Sequence, residues 1–265
     1  MRTLYQEKII KCGRFQEVDI YPVFPAQRSR GKKKKPSSEV QRKLNEKYAK
    51  KKISYLVNTN FTDKDIRLDL TYDAKHLPKD EKDAQHQVQL FIRRVNRARR
   101  RAGLPDLKYI YVTETGARKG RIHHHIIMSG GIDVNTLASL WGKGYTTVKP
   151  LQFDPEYGCT ALAEYMVKQL PEGRRWNCSK NLKQPEIRTR TGKVSRHRAF
   201  EWLQQGMDCR KEIEKYYGMK LADIKPFFNE VNRGVYITLS LYEPLERLRR
   251  KEKKNAKQGR VQLYV

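Results

Sequence analysis

Three consecutive histidines, His123-His124-His125, lie in an apolar stretch from Ile122 to Met128, shortly after Glu114. Successive side chains of a strand point to opposite faces, so His123 and His125 share one face and His124 takes the other. A short Gly-containing loop separates this strand from the one that ends at Glu114. The carboxylate therefore stands on the neighbouring strand. Two imidazoles and a carboxylate on one face are suited to a divalent metal. With coordination positions left open, the set suits Mn²⁺ or Mg²⁺ acting on phosphate, and the ligand types also permit Zn²⁺, Fe²⁺, Co²⁺ or Ni²⁺. His124 is expected in or beside the core.

A metal held in this way polarises a phosphoryl oxygen and shields its charge from an attacking group. Water or a side chain could attack. Tyrosine is well suited, because phenolate is a modest leaving group and a phosphotyrosyl bond stays reversible. Tyr-x-x-Lys places both residues on one helix face, and Tyr5, Tyr48, Tyr72, Tyr165 and Tyr217 each begin such a motif. Context separates them. Only Tyr165 stands in a well-patterned helix after the histidine strand, with Leu162, Ala163, Met166, Val167 and Leu170 as its apolar stripe. At 100° per residue, Tyr165 and Lys168 lie about 60° apart and outside that stripe. The stripe is expected to pack on a sheet while Tyr165 leans over its rim toward the metal. Lys168 would set a positive charge beside the scissile phosphate, and Glu164 reads as surface.

These residues need a sheet to hold them. Ile66-Arg-Leu-Asp-Leu-Thr-Tyr72 alternates, with Ile66, Leu68 and Leu70 on one face, as a strand with one buried side does. Residues 79–101 carry Val88, Phe91, Ile92 and Val95 at helical spacing, closed by Gly103 and Pro105. The outer face of that helix is expected to bring Arg93, Arg94, Arg97, Arg99, Arg100 and Arg101 to phosphates. Residues 107–115 form a strand, Asp133 caps a helix to Trp141, 144–151 is a strand and 158–170 a helix. The order β-α-β-β-α-β-α implies an α+β fold: a ferredoxin-like, central antiparallel sheet with helices packed on it, plus a C-terminal appendage.

Upstream, residues 8–24 read as two short strands around Gly13, the second confined to an edge by Pro22 and Pro25. Arg28–Lys35 is a basic run, and Pro36-Ser-Ser-Glu39 opens a helix that reaches Lys52. Downstream, an amphipathic stretch at 196–207, a helix at 209–217 and a strand at 235–241 form the appendage. The expected organisation is a hairpin with a basic linker and helix over 1–52, a catalytic domain over 53–172, an accessory α/β segment over 173–244 and a charged tail over 245–265.

Composition narrows the partner. The 265 residues carry 57 Lys+Arg against 29 Asp+Glu, a net charge of +28, with a pI near 10.0. Such an excess favours a polyanion, since neutralising phosphates releases condensed counterions. Nucleic acid leads over an anionic membrane surface. No apolar run approaches a membrane span, and the mean hydropathy is −0.85. The opening residues lack the apolar core of a signal peptide. Cys12, Cys159, Cys178 and Cys209 form no C-x-x-C pair, so a reducing cytosol fits best. No P-loop motif occurs, so the chain brings no ATPase of that type.

Taken in order, Leu68-Asp-Leu-Thr-Tyr72, Glu114, Gly120-Arg-Ile-His123, His124-His125 and Tyr165-x-x-Lys168 resemble the HUH endonucleases. The likeness is to the single-tyrosine rolling-circle replication initiators of phages, plasmids and small single-stranded DNA viruses, and it spans about residues 55–172. It implies that Tyr165, assisted by Lys168, nicks single-stranded DNA at an origin and stays joined to the 5′ phosphate. It also implies that His123, His125 and Glu114 hold Mn²⁺ or Mg²⁺, and that a host helicase and polymerase are recruited. Thr71 and Arg121 stand in the resembling motifs and are expected to contact DNA. So are Arg174, Arg175 and Trp176, just past the tyrosine helix, through phosphate pairing and base stacking. Two features differ from the family pattern: the middle position of the histidine motif is usually apolar, and Ala161 stands where two-tyrosine relatives carry a second tyrosine. A single-tyrosine HUH transposase shares the motif order. A basic nucleic-acid-binding protein without catalysis and a metal nuclease that uses water are the readings from other classes.

Overall fold

The structure is a computed structural model and describes residues 4–24, 39–116, 120–166 and 176–248. In chain order these form strands β1 (Tyr5–Cys12) and β2 (Phe15–Pro22), helix α1 (Glu39–Asn60), strand β3 (Ile66–Thr71), helix α2 (Glu81–Arg101) and strands β4 (Tyr109–Thr115) and β5 (Ile122–Met128). Helix α3 (Val134–Trp141), strand β6 (Thr146–Pro150), helix α4 (Thr160–Met166) and strands β7 (Asn177–Cys178) and β8 (Glu186–Thr191) follow. Helices α5 (Arg196–Gln205) and α6 (Arg210–Tyr217) and strands β9 (Lys220–Asn229) and β10 (Gly234–Tyr242) complete the set. They divide into two compact units. One is built from 39–153 and 159–184, the other from the chain before 39, from 154–158 and from 185 onward.

The first unit carries the histidines. Its sheet has the order β6-β3-β5-β4-β7 with every neighbouring pair antiparallel. Leaving aside the two-residue β7, its strands run fourth, first, third, second across the sheet, which is the ferredoxin-like arrangement expected from the β-α-β-β-α-β order. The alternation in β3 decides which face is which. Leu68 and Leu70 join Tyr111, Ile126 and Met128 under α2 and α3, where Val88, Phe91, Val95, Leu137 and Trp141 cover them. On the other face Ile110, Val112 and Ile127 pack with Ile53, Leu56 and Val57 of α1 and with Ala163 and Met166 of α4. Side chains of this size stabilise by roughly 1.5–3 kcal/mol each when fully buried. Both core helices on the first face start at an aspartate. Asp80 accepts from the Asp83 amide at 2.7 Å, and Asp133 from the Thr136 amide at 2.9 Å, each cap contributing about 1 kcal/mol.

Two expectations in this unit need correction. Helix α1 does not stop near Lys52 but continues to Asn60; the apolar residues that begin at Ile53 are its own buried face. Arg99 does not belong to the outward arginine face. It is 4% exposed and donates to the carbonyls of Pro105 (2.8 Å) and Gly130 (2.6 Å), tying the end of α2 to the sheet. Arg94 is likewise engaged, with the Leu140 carbonyl. Arg93, Arg97, Arg100 and Arg101 do face outward.

In the second unit the sheet order is β8-β1-β2-β10-β9, again antiparallel. Val18, Ile20, Ile237 and Leu239 make its core with Ala199 and Trp202 of α5 and Ile213 of α6. Sequence alone sets the N-terminal hairpin apart from the C-terminal segment, whereas β2 pairs with β10 in one sheet. It also puts β2 at an edge, but β2 lies between β1 and β10. Pro22 is tolerated because it is the last residue of the strand, beyond the rungs that pair with β10. Glu7 is fully buried, accepting from Tyr217 Oη at 2.6 Å and from Arg190 at 3.1 Å. Burial, together with that carboxylate, pushes the Tyr217 phenol far above its usual range. No helix among the described residues is long and apolar enough to cross a membrane.

Candidate metal and tyrosine site

Register brings the site together. On β5, His123 stands opposite Glu114 of β4 on one side and Thr71 of β3 on the other, while His125 stands opposite Val112 and Asp69. Directly opposed residues share a face. Glu114, His123, His125, Asp69 and Thr71 therefore line the α1/α4 side of the sheet, beyond the end of its apolar patch.

Glu114 Oε2 lies 3.6 Å from His123 Nε2 and 3.4 Å from His125 Nε2. These separations are too long for good hydrogen bonds. They match the spacing of atoms that share one divalent ion, about 3–3.5 Å when each sits about 2.1 Å from it. Among the described residues, Glu114, His123 and His125 form the group of possible ligands whose atoms fall within 4.8 Å of one another. The residues fit a divalent cation.

Each imidazole is turned by its other nitrogen. His123 Nδ1 donates to the Arg121 carbonyl at 3.3 Å, and His125 Nδ1 donates to Asp69 Oδ1 at 2.5 Å. Both contacts place the proton on Nδ1 and leave Nε2 as a lone-pair donor toward Glu114, the orientation that supporting carboxylates and carbonyls give to metal-binding histidines. Asp69 also accepts from Arg67 Nε at 3.0 Å. Burial alone would raise the Asp69 carboxyl; the bonds from His125 and Arg67 and their charges outweigh it and hold it below the usual carboxylate range.

His124 is different in every respect. It is fully buried on the α2/α3 face, with Tyr72 Oη 2.8 Å from Nε2 and Thr113 Oγ1 2.9 Å from Nδ1. Trp141 and Tyr72 meet it edge-on. A neutral imidazole, one donor and one acceptor, satisfies both hydroxyls. Burial, then the proximity of His123 and His125, pushes its pKa down to about 3.

Tyr165, on α4, is 57% exposed, and its ring centroid lies 6.1 Å from that of His125. The guanidinium of Arg67 lies 5.3 Å from the same ring centroid. The other Tyr-x-x-Lys tyrosines are elsewhere. Tyr5 and Tyr72 are 1% and 4% exposed in the cores, and Tyr217 is bound to Glu7. Tyr48 is exposed on α1, with no ring contact to a histidine among the described residues.

The remaining expected residues are scattered. Thr71 is one rung from His125's partner Asp69 and directly opposite His123, its hydroxyl on the Tyr145 carbonyl. Arg121 is exposed beside the site. Trp176 is half-buried against the α1/α4 core, with Lys52 Nζ 5.8 Å from its ring centroid. Lys168, Arg174 and Arg175 lie outside the described residues, as does the Arg28–Lys35 run. Sequence reasoning missed Asp69 and Arg67. Their signal was present, because the alternation that buries Leu68 and Leu70 sends Arg67, Asp69 and Thr71 to the opposite face.

Residues 65–170 match a family model, that of the replication-associated protein of the ORF2 class. That segment runs from the start of β3 past the tyrosine helix and contains Asp69, Glu114, His123, His125 and Tyr165. The match supports a replication-initiator role with DNA as the partner. No curated protein and no solved structure matches the chain.

Proposed function

We propose that this chain is a rolling-circle replication initiator that nicks and rejoins single-stranded DNA through Tyr165. One observation carries the reading: an exposed tyrosine ring 6.1 Å from an imidazole of a His-His-Glu cluster. It gains support from the family match, which covers this same segment. His123, His125 and Glu114 would hold Mn²⁺ or Mg²⁺, and the cation would polarise a phosphoryl oxygen and offset its charge.

The chain's residues would act as follows. Tyr165 Oη attacks the phosphorus of the scissile phosphodiester and forms a new O–P bond as the bond to the 3′ oxygen breaks. The phenolic proton passes to solvent, and the departing 3′ oxygen takes one up to become a 3′ hydroxyl. One phosphodiester replaces another, so the reverse reaction rejoins the strand without an outside energy source. Asp69 holds His125 in one tautomer throughout. Lys168 is proposed as a cation near the scissile phosphate. Thr71, Arg121, Arg174, Arg175 and Trp176 are proposed to contact the single strand, consistent with the net charge of +28.

A denaturing gel with a pool of 3′-labelled single-stranded oligonucleotides, with and without Mn²⁺, tests this. The expected outcome is label migrating with the protein in Mn²⁺, lost in Tyr165→Phe. An adduct that survives Tyr165→Phe contradicts the nucleophile. Cleavage without an adduct points to attack by water, and salt-sensitive binding indifferent to EDTA points to a non-catalytic binding protein.

A further inference from the structure

Arg67 joins the two halves of the site. It stands two residues before Asp69 on β3 and opposite Ile127 of β5, on the histidine-bearing face. Its Nε donates to Asp69, which accepts from His125, and its guanidinium lies 5.3 Å from the Tyr165 ring centroid. A guanidinium offers five N–H donors in a fixed plane. Only the Nε donor is engaged here, with Asp69; among the described residues the Nη groups make no hydrogen bond. The side chain is 20% exposed. It is a cation fixed at one edge and open at the other, beside an exposed tyrosine.

We infer that Arg67 is a positioning residue that seats the Tyr165 ring and donates its free Nη–H groups to a non-bridging oxygen of the DNA phosphate that the tyrosine attacks. This rests on Tyr165 being the nucleophile at the His123–His125–Glu114 site. The geometry favours arginine over lysine for both tasks, since only a planar fork can lie against a ring, bond a carboxylate along one edge and present paired donors along another. Negative charge spreads over the non-bridging oxygens during phosphoryl transfer, and a donor already fixed in place stabilises it without reorganisation. Asp69 then has two duties: it orients His125 and anchors Arg67.

The test compares wild type, Arg67→Ala and Arg67→Lys in three measurements: the rate of Tyr165–DNA adduct formation in saturating Mn²⁺, Mn²⁺ affinity without DNA, and the salt dependence of single-stranded oligonucleotide binding in EDTA. Arg67→Ala is expected to slow adduct formation by about 100-fold, as loss of one fixed donor does. Its binding slope in EDTA should become shallower by about 0.7, the loss of one phosphate contact on a single strand. Arg67→Lys should keep the slope, because the charge remains, yet recover only part of the rate. Mn²⁺ affinity should stay within about threefold of wild type in Arg67→Lys, because the cation beside Asp69 is kept. An unchanged slope in Arg67→Ala overturns the inference, as does a rate that falls only in proportion to Mn²⁺ affinity, which would make Arg67 a mere support for Asp69. If wild type forms no adduct, the strand-transfer reading fails, while the slope in EDTA still decides the phosphate contact.

Discussion

His124 and His125 are adjacent in the chain and belong to different parts of the molecule. His124 enters the core under α2 and α3, is neutral, and has a hydroxyl on each nitrogen. His125 and His123 face the other way, each with one nitrogen bound to a protein acceptor and the other turned toward Glu114. The same side chain thus does structural work on one face of β5 and is poised for chemistry on the other. What separates the two roles is the number of partners each ring finds. A ring satisfied on both sides holds the fold, and a ring satisfied on one side holds something else.

Replacements on the two faces should separate these roles. His125→Ala should cost the most in function, slowing Tyr165 adduct formation by about 10³-fold, the scale of several kcal/mol that metal-assisted charge stabilisation supplies. Its urea midpoint should move less than that of any His124 replacement. His124→Leu should destabilise the apo protein by about 3 kcal/mol at pH 7, since it strands the Tyr72 and Thr113 hydroxyls in the core. Mn²⁺ affinity of the folded variant should stay close to wild type.

That deficit should depend on pH. An unfolded histidine binds a proton below its ordinary 6.5, whereas His124 in the fold resists one until about 3. The unfolded state therefore binds more protons in this window. The contribution of His124 is complete above pH 6.5 and is lost as pH falls toward 3. Wild type weakens on acidification by this route and His124→Leu does not, so urea denaturation in EDTA should find their difference smaller by about 1–2 kcal/mol at pH 5 than at pH 7. A difference that widens on acidification would contradict a neutral His124.

Smaller effects sharpen the contrast. Asp69→Asn, which keeps the shape but weakens the acceptor on His125, should lower Mn²⁺ affinity about 10–100-fold by calorimetry. Thr113→Val, which removes one of the two bonds to His124, should cost about 1 kcal/mol in urea denaturation and leave Mn²⁺ binding unchanged.

The local part of this arrangement was legible in the sequence. Alternation in Ile66–Tyr72, the His-x-His spacing and the apolar stripe around Tyr165 gave the strands, the faces and the choice among five candidate tyrosines. The antiparallel α+β sheet followed from element order alone. Features set by long-range pairing were not legible. Nothing near Pro22 signals that β10, more than 200 residues later, will pair with β2 on its open side. Strand β8 escaped notice because all six of its side chains are exposed and leave no apolar pattern. Strand β9 is interrupted by Pro226 and a bulge in its pairing with β10. Arg67 and Asp69 looked like the solvent side of an amphipathic strand, and only the register of β3 against β5 turns that side toward His125.

The most direct measurement is mass spectrometry of proteolytic peptides after reaction with single-stranded DNA in Mn²⁺. The account predicts a nucleotide mass on the peptide that contains Tyr165, on no other tyrosine, and none after reaction in EDTA. A nucleotide mass on Tyr48 or another tyrosine, or cleaved DNA with every tyrosine unmodified, would contradict it.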